Sequence, residues 1–387
     1  MARSLALLAL TLLIAGCGWI NAYFVGTDNS IPPAALQPLT NNIGVQTLWS
    51  RAVSSGAGKT YLNLEPAASA GRLFVAGHKG DVSALDAASG QLQWKTETKA
   101  EISAGVGVGT GLALVGTDDG EVIALRQNNG EEAWRVRVSS EVLAPPQAAN
   151  GMVVARTIDG NLYGLDAASG AQRWVYSYTV PPLTLRGSSP PLLAQDVAIV
   201  GLDTGKMVVL SIANGTPVWE KTIAPPRGRT EIDRMVDIDA TPRMAGSELY
   251  IAAYQGNITA IDLQNGNTLW TRDFSSHAGL DVDSRQVYVS DDKDTVWALD
   301  RRNGGALWQQ SELSGRRLSA PVVIDDYVVV GDFEGYLHWL EKDSGKIVGR
   351  TRPDSKGIDA SPLAADDILF VLDKGGELSA LRAGGSG

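Results

Sequence analysis

Cysteine is almost missing from this chain: one residue, Cys17, in 387. A single thiol allows no internal disulfide and no thiolate ligand pair, which excludes a cysteine-stapled scaffold and a zinc ribbon. Histidine is scarce too. His78, His277 and His338 are the only three, and none has a metal-ligand partner at helical or strand spacing. Basic clusters are lacking: 33 Lys and Arg face 43 Asp and Glu, for a net charge of -10. Pro226-Arg227-Gly228-Arg229 is too short to form a basic face and has acidic residues close behind it, so nucleic acid is excluded as a partner. The acidity reads as a solvated surface.

Catalytic motifs are also absent. Gly58-Lys59-Thr60 has Val53 where a phosphate-binding loop needs its first glycine, and no helix signal follows. Gly105, Gly107 and Gly109 lie in strand-like sequence with no helix to receive a pyrophosphate. The run Asp291-Asp292-Lys293-Asp294 lacks the glycine and distal glutamate of a calcium loop and reads as a hairpin turn. No Gly-x-Ser-x-Gly elbow occurs. These readings leave no cofactor, no metal and no enzyme.

What the chain does have is glycine and tryptophan at fixed spacing. Tryptophan follows glycine by four residues at Gly90/Trp94, Gly130/Trp134, Gly170/Trp174, Gly215/Trp219, Gly266/Trp270 and Gly304/Trp308. A turn position precedes each glycine by ten residues: Gly80, Gly120, Gly160, Gly205, Gly256 and Asp294. A seventh copy runs Gly335, Gly345, Gly349, with glycine in the tryptophan position. A period of roughly 40 residues means a solenoid, propeller or array. Within residues 111–138, Leu112-Ala113-Leu114-Val115 reads as a strand, Asp119-Gly120 as a turn and Val122-Ile123-Ala124-Leu125 as a second strand. Asn129-Gly130 turns again into a strand carrying Trp134. A further strand precedes each unit, marked by Pro145, Pro190, Pro242, Pro321 and Pro362. Proline lacks a ladder donor, which suits the start of the innermost strand.

An eighth unit begins at Asp367 and stops before its outer strand, while Thr47-Leu48-Trp49-Ser50-Arg51 mirrors Thr268-Leu269-Trp270-Thr271-Arg272. The expected fold is all-β: an eight-bladed β-propeller of four-stranded blades, closed by an N-terminal strand completing the last blade. A linear β-solenoid competes, but it has no need of a split repeat. Trp49, Trp94, Trp134, Trp174, Trp219, Trp270 and Trp308 are expected to pack flat against neighbouring blades.

The N-terminus reads separately. Arg3 precedes a mainly apolar run over residues 5–14, too short to span a bilayer as a helix, and then Ile14-Ala15-Gly16-Cys17. Small residues before the cysteine resemble the lipobox of bacterial lipoproteins. That resemblance implies a signal peptide over 1–16, lipidation at Cys17 and stable anchoring through several acyl chains. Gly18 rather than Asp implies transfer to the outer membrane. Residues 17–43 form the lipidated N-terminus and tether, and residues 44–387 the propeller.

Connectors between blades vary in length. The gap from Trp174 to Pro190 is 16 residues and from Trp219 to Pro242 is 23, on what strand order makes one rim of adjacent blades. Long loops on a rigid scaffold are where binding concentrates. One carries Leu183-Thr184-Leu185-Arg186-Gly187, and the other carries the acidic stretch Glu231-Ile232-Asp233-Arg234-Met235-Val236-Asp237-Ile238-Asp239. An apolar-plus-Arg knob beside an acidic loop suits protein binding. The competing reading has the leucines covering blade edges and the charges solvated.

The stretch Ala84-Leu85-Asp86-Ala87-Ala88-Ser89-Gly90-Gln91-Leu92-Gln93-Trp94 resembles the PQQ-like repeat, and the match recurs over nearly all the mature chain. Two families share that repeat. Quinoprotein alcohol dehydrogenases are larger and bind pyrroloquinoline quinone and calcium with an adjacent cysteine pair, which this chain lacks. A PQQ-dependent periplasmic dehydrogenase is therefore the alternative reading. The lipobox, the length and the segments at Leu183–Gly187, Glu231–Arg234 and Glu334-Gly335-Tyr336-Leu337-His338-Trp339 are similar to the BamB family, lipoproteins of the outer-membrane β-barrel assembly machinery. In that family the two loops dock on the periplasmic POTRA domains of BamA. Leu183, Leu185, Arg186, Asp237 and Asp239 occupy the matching positions. The resemblance implies a non-enzymatic scaffold, bound to BamA and through it to the other assembly lipoproteins, at the periplasmic face of the outer membrane. Nascent outer-membrane proteins pairing with exposed blade strands are a less supported partner, because Glu131, Glu132 and Lys221 charge the outer edges. Replacing Cys17 with Ala is expected to release the protein into the periplasm; retention in washed membranes would contradict lipid anchoring.

Overall fold

The computed structural model describes residues 32–58, 60–185 and 189–384. Among them are strands and turns but no helix, and the strands form eight separate four-stranded antiparallel sheets. Blades 1 to 7 span 67–97, 107–137, 147–177, 192–222, 243–274, 279–310 and 322–351. Blade 8 takes three strands from 363–384 and its outer strand, Gly44–Ala52, from the other end of the chain.

Burial follows strand position. In blade 2 the second strand, Leu112–Gly116, is buried throughout, because both faces of the blade lie against neighbours. The third, Glu121–Arg126, is buried along its middle four residues. Such strands carry continuous apolar runs instead of alternating ones. The outer strand Glu132–Arg137 alternates, with Trp134 inward. Inner strands have three residues in most blades, and those of blades 3, 4, 5, 7 and 8 start just after the prolines noted above.

The tryptophans form the joints between blades. Each outer-strand Trp stands opposite a small residue of the third strand: Trp94 opposite Ala84, Trp134 opposite Ala124, Trp174 opposite Gly164, Trp270 opposite Ala260. A bulge follows the pair immediately in each of these blades, adding local twist. The indole then lies on the turn glycine of the next blade. A methyl group added to Gly90, Gly130, Gly170, Gly215, Gly304 or Gly345 would meet the preceding blade's Trp ring at 2.4–2.7 Å. These glycines also have positive φ, so both the turn and the close approach require them. The indole N–H donates across the same seam: Trp94 to Gln127 O at 2.9 Å, Trp134 to Ala167 O at 2.9 Å, Trp308 to Lys342 O at 2.7 Å.

Two blades depart from the pattern. Trp219 faces the branched Val209, and its ring stands 3.7 Å from a methyl placed on Gly266, so this joint is looser. In blade 7 the pair is reversed: Trp339 is on the third strand, fully buried, opposite Gly349 on the outer strand. Ile43 fills the space beside Gly349, 2.7 Å from where its Cβ would be.

The ring closes through Gly44–Ala52, which pairs with Glu377–Gly384 from Gly44↔Gly384 to Ala52↔Glu377. Trp49 of that strand donates to Ala87 O at 3.2 Å, so the N-terminal strand completes blade 8 and also locks it to blade 1. The residues before it run along blade 7. Asn42 N donates to Val348 O at 2.8 Å, Arg350 N to Asn41 Oδ1 at 2.9 Å, and Ala34 N to Ser314 O at 2.8 Å. Leu36 and Leu39 pack on the apolar core between blades 6 and 7.

If these joints hold the ring, Trp134→Ala costs about 3–5 kcal/mol of stability. Trp219→Ala, at the looser joint, costs clearly less. Urea unfolding of both variants measures the difference, and equal losses would show that the wedge geometry carries no extra stability.

Candidate partner-binding rim

The described parts of the two overlong connectors lie on one rim, at the seams between blades 3 and 4 (178–185 and 189–191) and blades 4 and 5 (223–242). They are tied together: the backbone N–H of Leu185 donates to the Asp237 carboxylate. Asp237 is fully buried, between Val236 and Ile238, which are also buried. Ile238 packs where Gly201 ends the second strand of blade 4; a Cβ there would sit 2.2 Å from the isoleucine. The base of the second loop is therefore core, and its tip is surface. At the tip, Thr230 and Asp233 cap each other, Asp233 N to Thr230 Oγ1 at 3.1 Å and Thr230 N to Asp233 Oδ2 at 3.2 Å. This turn presents Ile232, 64% exposed. From the first loop Leu183 is 45% exposed. Leu185, Pro190 and Asp239 turn toward a central funnel of about 800 Å³ on the ring axis.

Beneath the loops lies a buried charged cluster. Arg156 ends the second strand of blade 3, where six other blades carry a small residue: Ala76, Gly116, Gly201, Ala252, Ser290 and Gly331. Its long side chain fills the seam. It pairs with Asp203, donates to Gly201 O at 2.9 Å and to the Tyr178 hydroxyl at 3.0 Å. Tyr178 in turn donates to Asp203 Oδ2 at 3.1 Å. Burial opposes the Arg156 charge, but Asp203, Tyr178 and Asp239 together more than offset it, and its pKa is raised. Burial likewise pushes Tyr178 up, keeping it a neutral donor.

One guanidinium cannot neutralise three carboxylates. Burial pushes Asp237 up to about 7, against the Leu185 N–H that favours its ionised form. Burial and the neighbouring Asp237 push Asp239 up to about 8. One oxygen of each, Oδ1, is shut off from solvent without a hydrogen-bond partner, as is Arg156 Nε. Unpaired buried carboxylate oxygens favour the protonated acid.

The structure thus brings Leu185 and Asp237 into direct contact, leaves Leu183 outward, buries Asp237 inside the loop base and leaves Asp239 half-buried at the funnel. Arg186 and Cys17 lie outside the described residues. Arg156, Asp203 and Tyr178 escaped sequence reasoning. A repeat-by-repeat comparison carries the signal for the first of them, as the one charged residue where other blades end a strand with a small or apolar one.

The fold and rim define a class: a closed propeller of PQQ-like repeats with its elaborated loops at two adjacent seams. A family model described as outer membrane protein assembly factor BamB matches residues 78–310 and 298–385. Outer membrane protein assembly factor BamB of Pseudomonas aeruginosa is 48% identical over 375 residues, covering 97% of each chain. The crystal structure of BamB from Moraxella catarrhalis superposes with a TM-score of 0.81 at 28% identity, over 88% of this chain and all of that one. The chain belongs to the BamB family of outer membrane protein assembly factors. Quinohemoprotein alcohol dehydrogenase from Comamonas testosteroni also superposes, with a TM-score of 0.67 over 87% of this chain and 76% of that one, but its 14% identity shows the fold alone. The adjacent cysteine pair of quinoproteins has no counterpart in a chain whose one cysteine is Cys17.

The loop base should respond to pH. Asp237 and Asp239 have folded pKa values above their unfolded ones, so the folded form binds more protons between about pH 4 and the folded values of about 7 and 8. Stability from this cluster is full at the acid end and falls as pH rises through that window. Acids with lowered pKa, such as Asp166 and Asp332, act at lower pH, and the raised acids Asp281 and Asp373 (the latter at about 6) lie in blades 6 and 8, away from these loops. Hydrogen exchange of residues 178–185 and 223–242, corrected for intrinsic rate, is expected to quicken from about pH 6 to about pH 8.5. Asp239→Asn should flatten that dependence; a profile identical to wild type would assign it elsewhere.

Proposed function

We propose that this chain is a docking scaffold in outer-membrane protein assembly. It is held by acyl chains on Cys17 at the periplasmic face of the outer membrane and binds the POTRA domains of BamA through the rim of blades 3 to 5. The observation that carries this reading is the pair of adjacent overlong connectors, fixed to each other by the Leu185–Asp237 hydrogen bond and presenting exposed Leu183. A loop pair fixed before binding loses little ordering entropy on contact. Leu183 and Leu185 supply apolar area, and burying a leucine fully contributes about 1.5–3 kcal/mol. Arg186 supplies a charged, bidentate donor for a partner carboxylate. Asp237 acts from inside, holding the Leu185 segment in place, with Asp239 beside it at the funnel. The family's role in assembly supports a scaffold rather than an enzyme, and no step of chemistry is assigned to the ring.

The reading is tested by capture of BamA on the immobilised protein. Leu183→Glu is expected to reduce capture at least tenfold, since a carboxylate would be desolvated at the contact. Leu92→Glu, an exposed outer-wall position on blade 1, should leave capture unchanged. Undiminished capture by the Leu183 variant would move the interface away from this rim.

A further inference from the structure

The ring brings the same three positions together at seam after seam: a residue after the second strand of one blade, a connector residue, and the matching residue of the next blade. The backbone bond that joins them recurs, from Asp118 N to Glu101 O at 3.0 Å, Ile158 N to Glu141 O at 3.1 Å, Tyr254 N to Asp237 O at 2.8 Å, and Phe333 N to Arg316 O at 3.2 Å. The side chains at these positions differ. At the seam of blades 5 and 6 they are Tyr254, Ser275 and Asp292, and at blades 6 and 7 they are Asp292, Arg316 and Phe333. At the seam of blades 1 and 2 they are His78, Glu101 and Asp118, and their ligand atoms all lie within 4.8 Å of one another.

We propose that His78, Glu101 and Asp118 form a binding site for a divalent transition-metal ion, with zinc as the best-fitting chemistry. The imidazole is already oriented. His78 Nδ1 is 3.0 Å from Ile102 O, so that nitrogen donates its proton to the carbonyl and Nε2 is left as the ligand. Metal-binding histidines are held by outer hydrogen bonds of this kind. Asp118 Oδ1 is shut off from solvent with no hydrogen-bond partner, an anionic oxygen that the fold itself leaves unsatisfied. One nitrogen and two carboxylate oxygens suit zinc, with water in the fourth position, at about 2.0–2.2 Å per ligand. A hard cation such as calcium asks for more oxygens and gains nothing from imidazole. The three ligands come from two blades and their connector, so a bound ion would staple blade 1 to blade 2.

The test uses the full-length lipidated protein in detergent, tag-free and stripped with chelator. Zinc is added, and binding is read by calorimetry alongside the unfolding midpoint. The expected result is one saturable site and a rise in midpoint, with affinity lowered at least tenfold in His78→Ala and in Asp118→Asn. Calcium at the same concentration should leave the midpoint unmoved. Asp118→Asn is nearly isosteric and removes no hydrogen bond from Oδ1, so its loss of binding is readable in a folded protein; His277→Ala serves as the unaffected control. Wild-type affinity in Asp118→Asn, an equal response to calcium, or no saturable zinc binding by the wild type would each overturn the assignment.

Discussion

The contact on which this structure depends is an indole ring laid on a glycine. Each blade is a small twisted sheet that cannot bury both faces alone, and the ring exists because neighbours cover them. In six of the eight blades the outer-strand tryptophan reaches over the seam, covers the next blade's turn and donates its N–H to a carbonyl there. A side chain on that glycine would overlap the ring, and a bulky residue opposite the tryptophan would push it out. Three positions far apart in the repeat therefore have to agree: the Trp, the small residue facing it, and the turn glycine of the following blade.

Once the seams are fixed in this way, the connectors crossing them are free to differ. Most serve only as bridges. At blades 3 to 5 they are lengthened, bound to one another and underlain by Arg156 in a slot that holds a small residue in six other blades. The cluster of Arg156, Asp203, Asp237 and Asp239 carries more acid than base, so it ties the conformation of the loop base to proton binding. Leu183 stands outward from that base, where a partner would meet it.

The fold was legible in the chain to an unusual degree, because a repeat states the same physical requirement many times. The missing outer strand of the last unit and the stray Trp49 segment pointed to the closure seen between Gly44–Ala52 and Glu377–Gly384. The exceptions were harder to read. Gly349 looked like a lost tryptophan, whereas Trp339 on the adjacent strand restores the indole and Ile43 fills the remaining space. The long loops could be found by counting residues, but their interior could not. Asp237 looks like a surface charge beside Glu231 and Asp233, and only the packing of Val236 and Ile238 turns it inward, while Asp239 stands half-buried at the funnel.

By itself the sequence determined the ring, its blade count, the strand that closes it and the seams with room for extra loops. Those features follow from local spacing: turn glycines, proline starts and apolar runs that most copies of the repeat keep. The tertiary structure decided which side chains from different blades meet. His78, Glu101 and Asp118 have no ligand spacing along the chain, and Arg156 is far from Asp203 and Asp237 in sequence. They converge because closing the ring superimposes equivalent positions of adjacent blades at each seam. Electrostatic and ligand-binding properties depend on distances across that seam, which no periodicity in a single strand encodes.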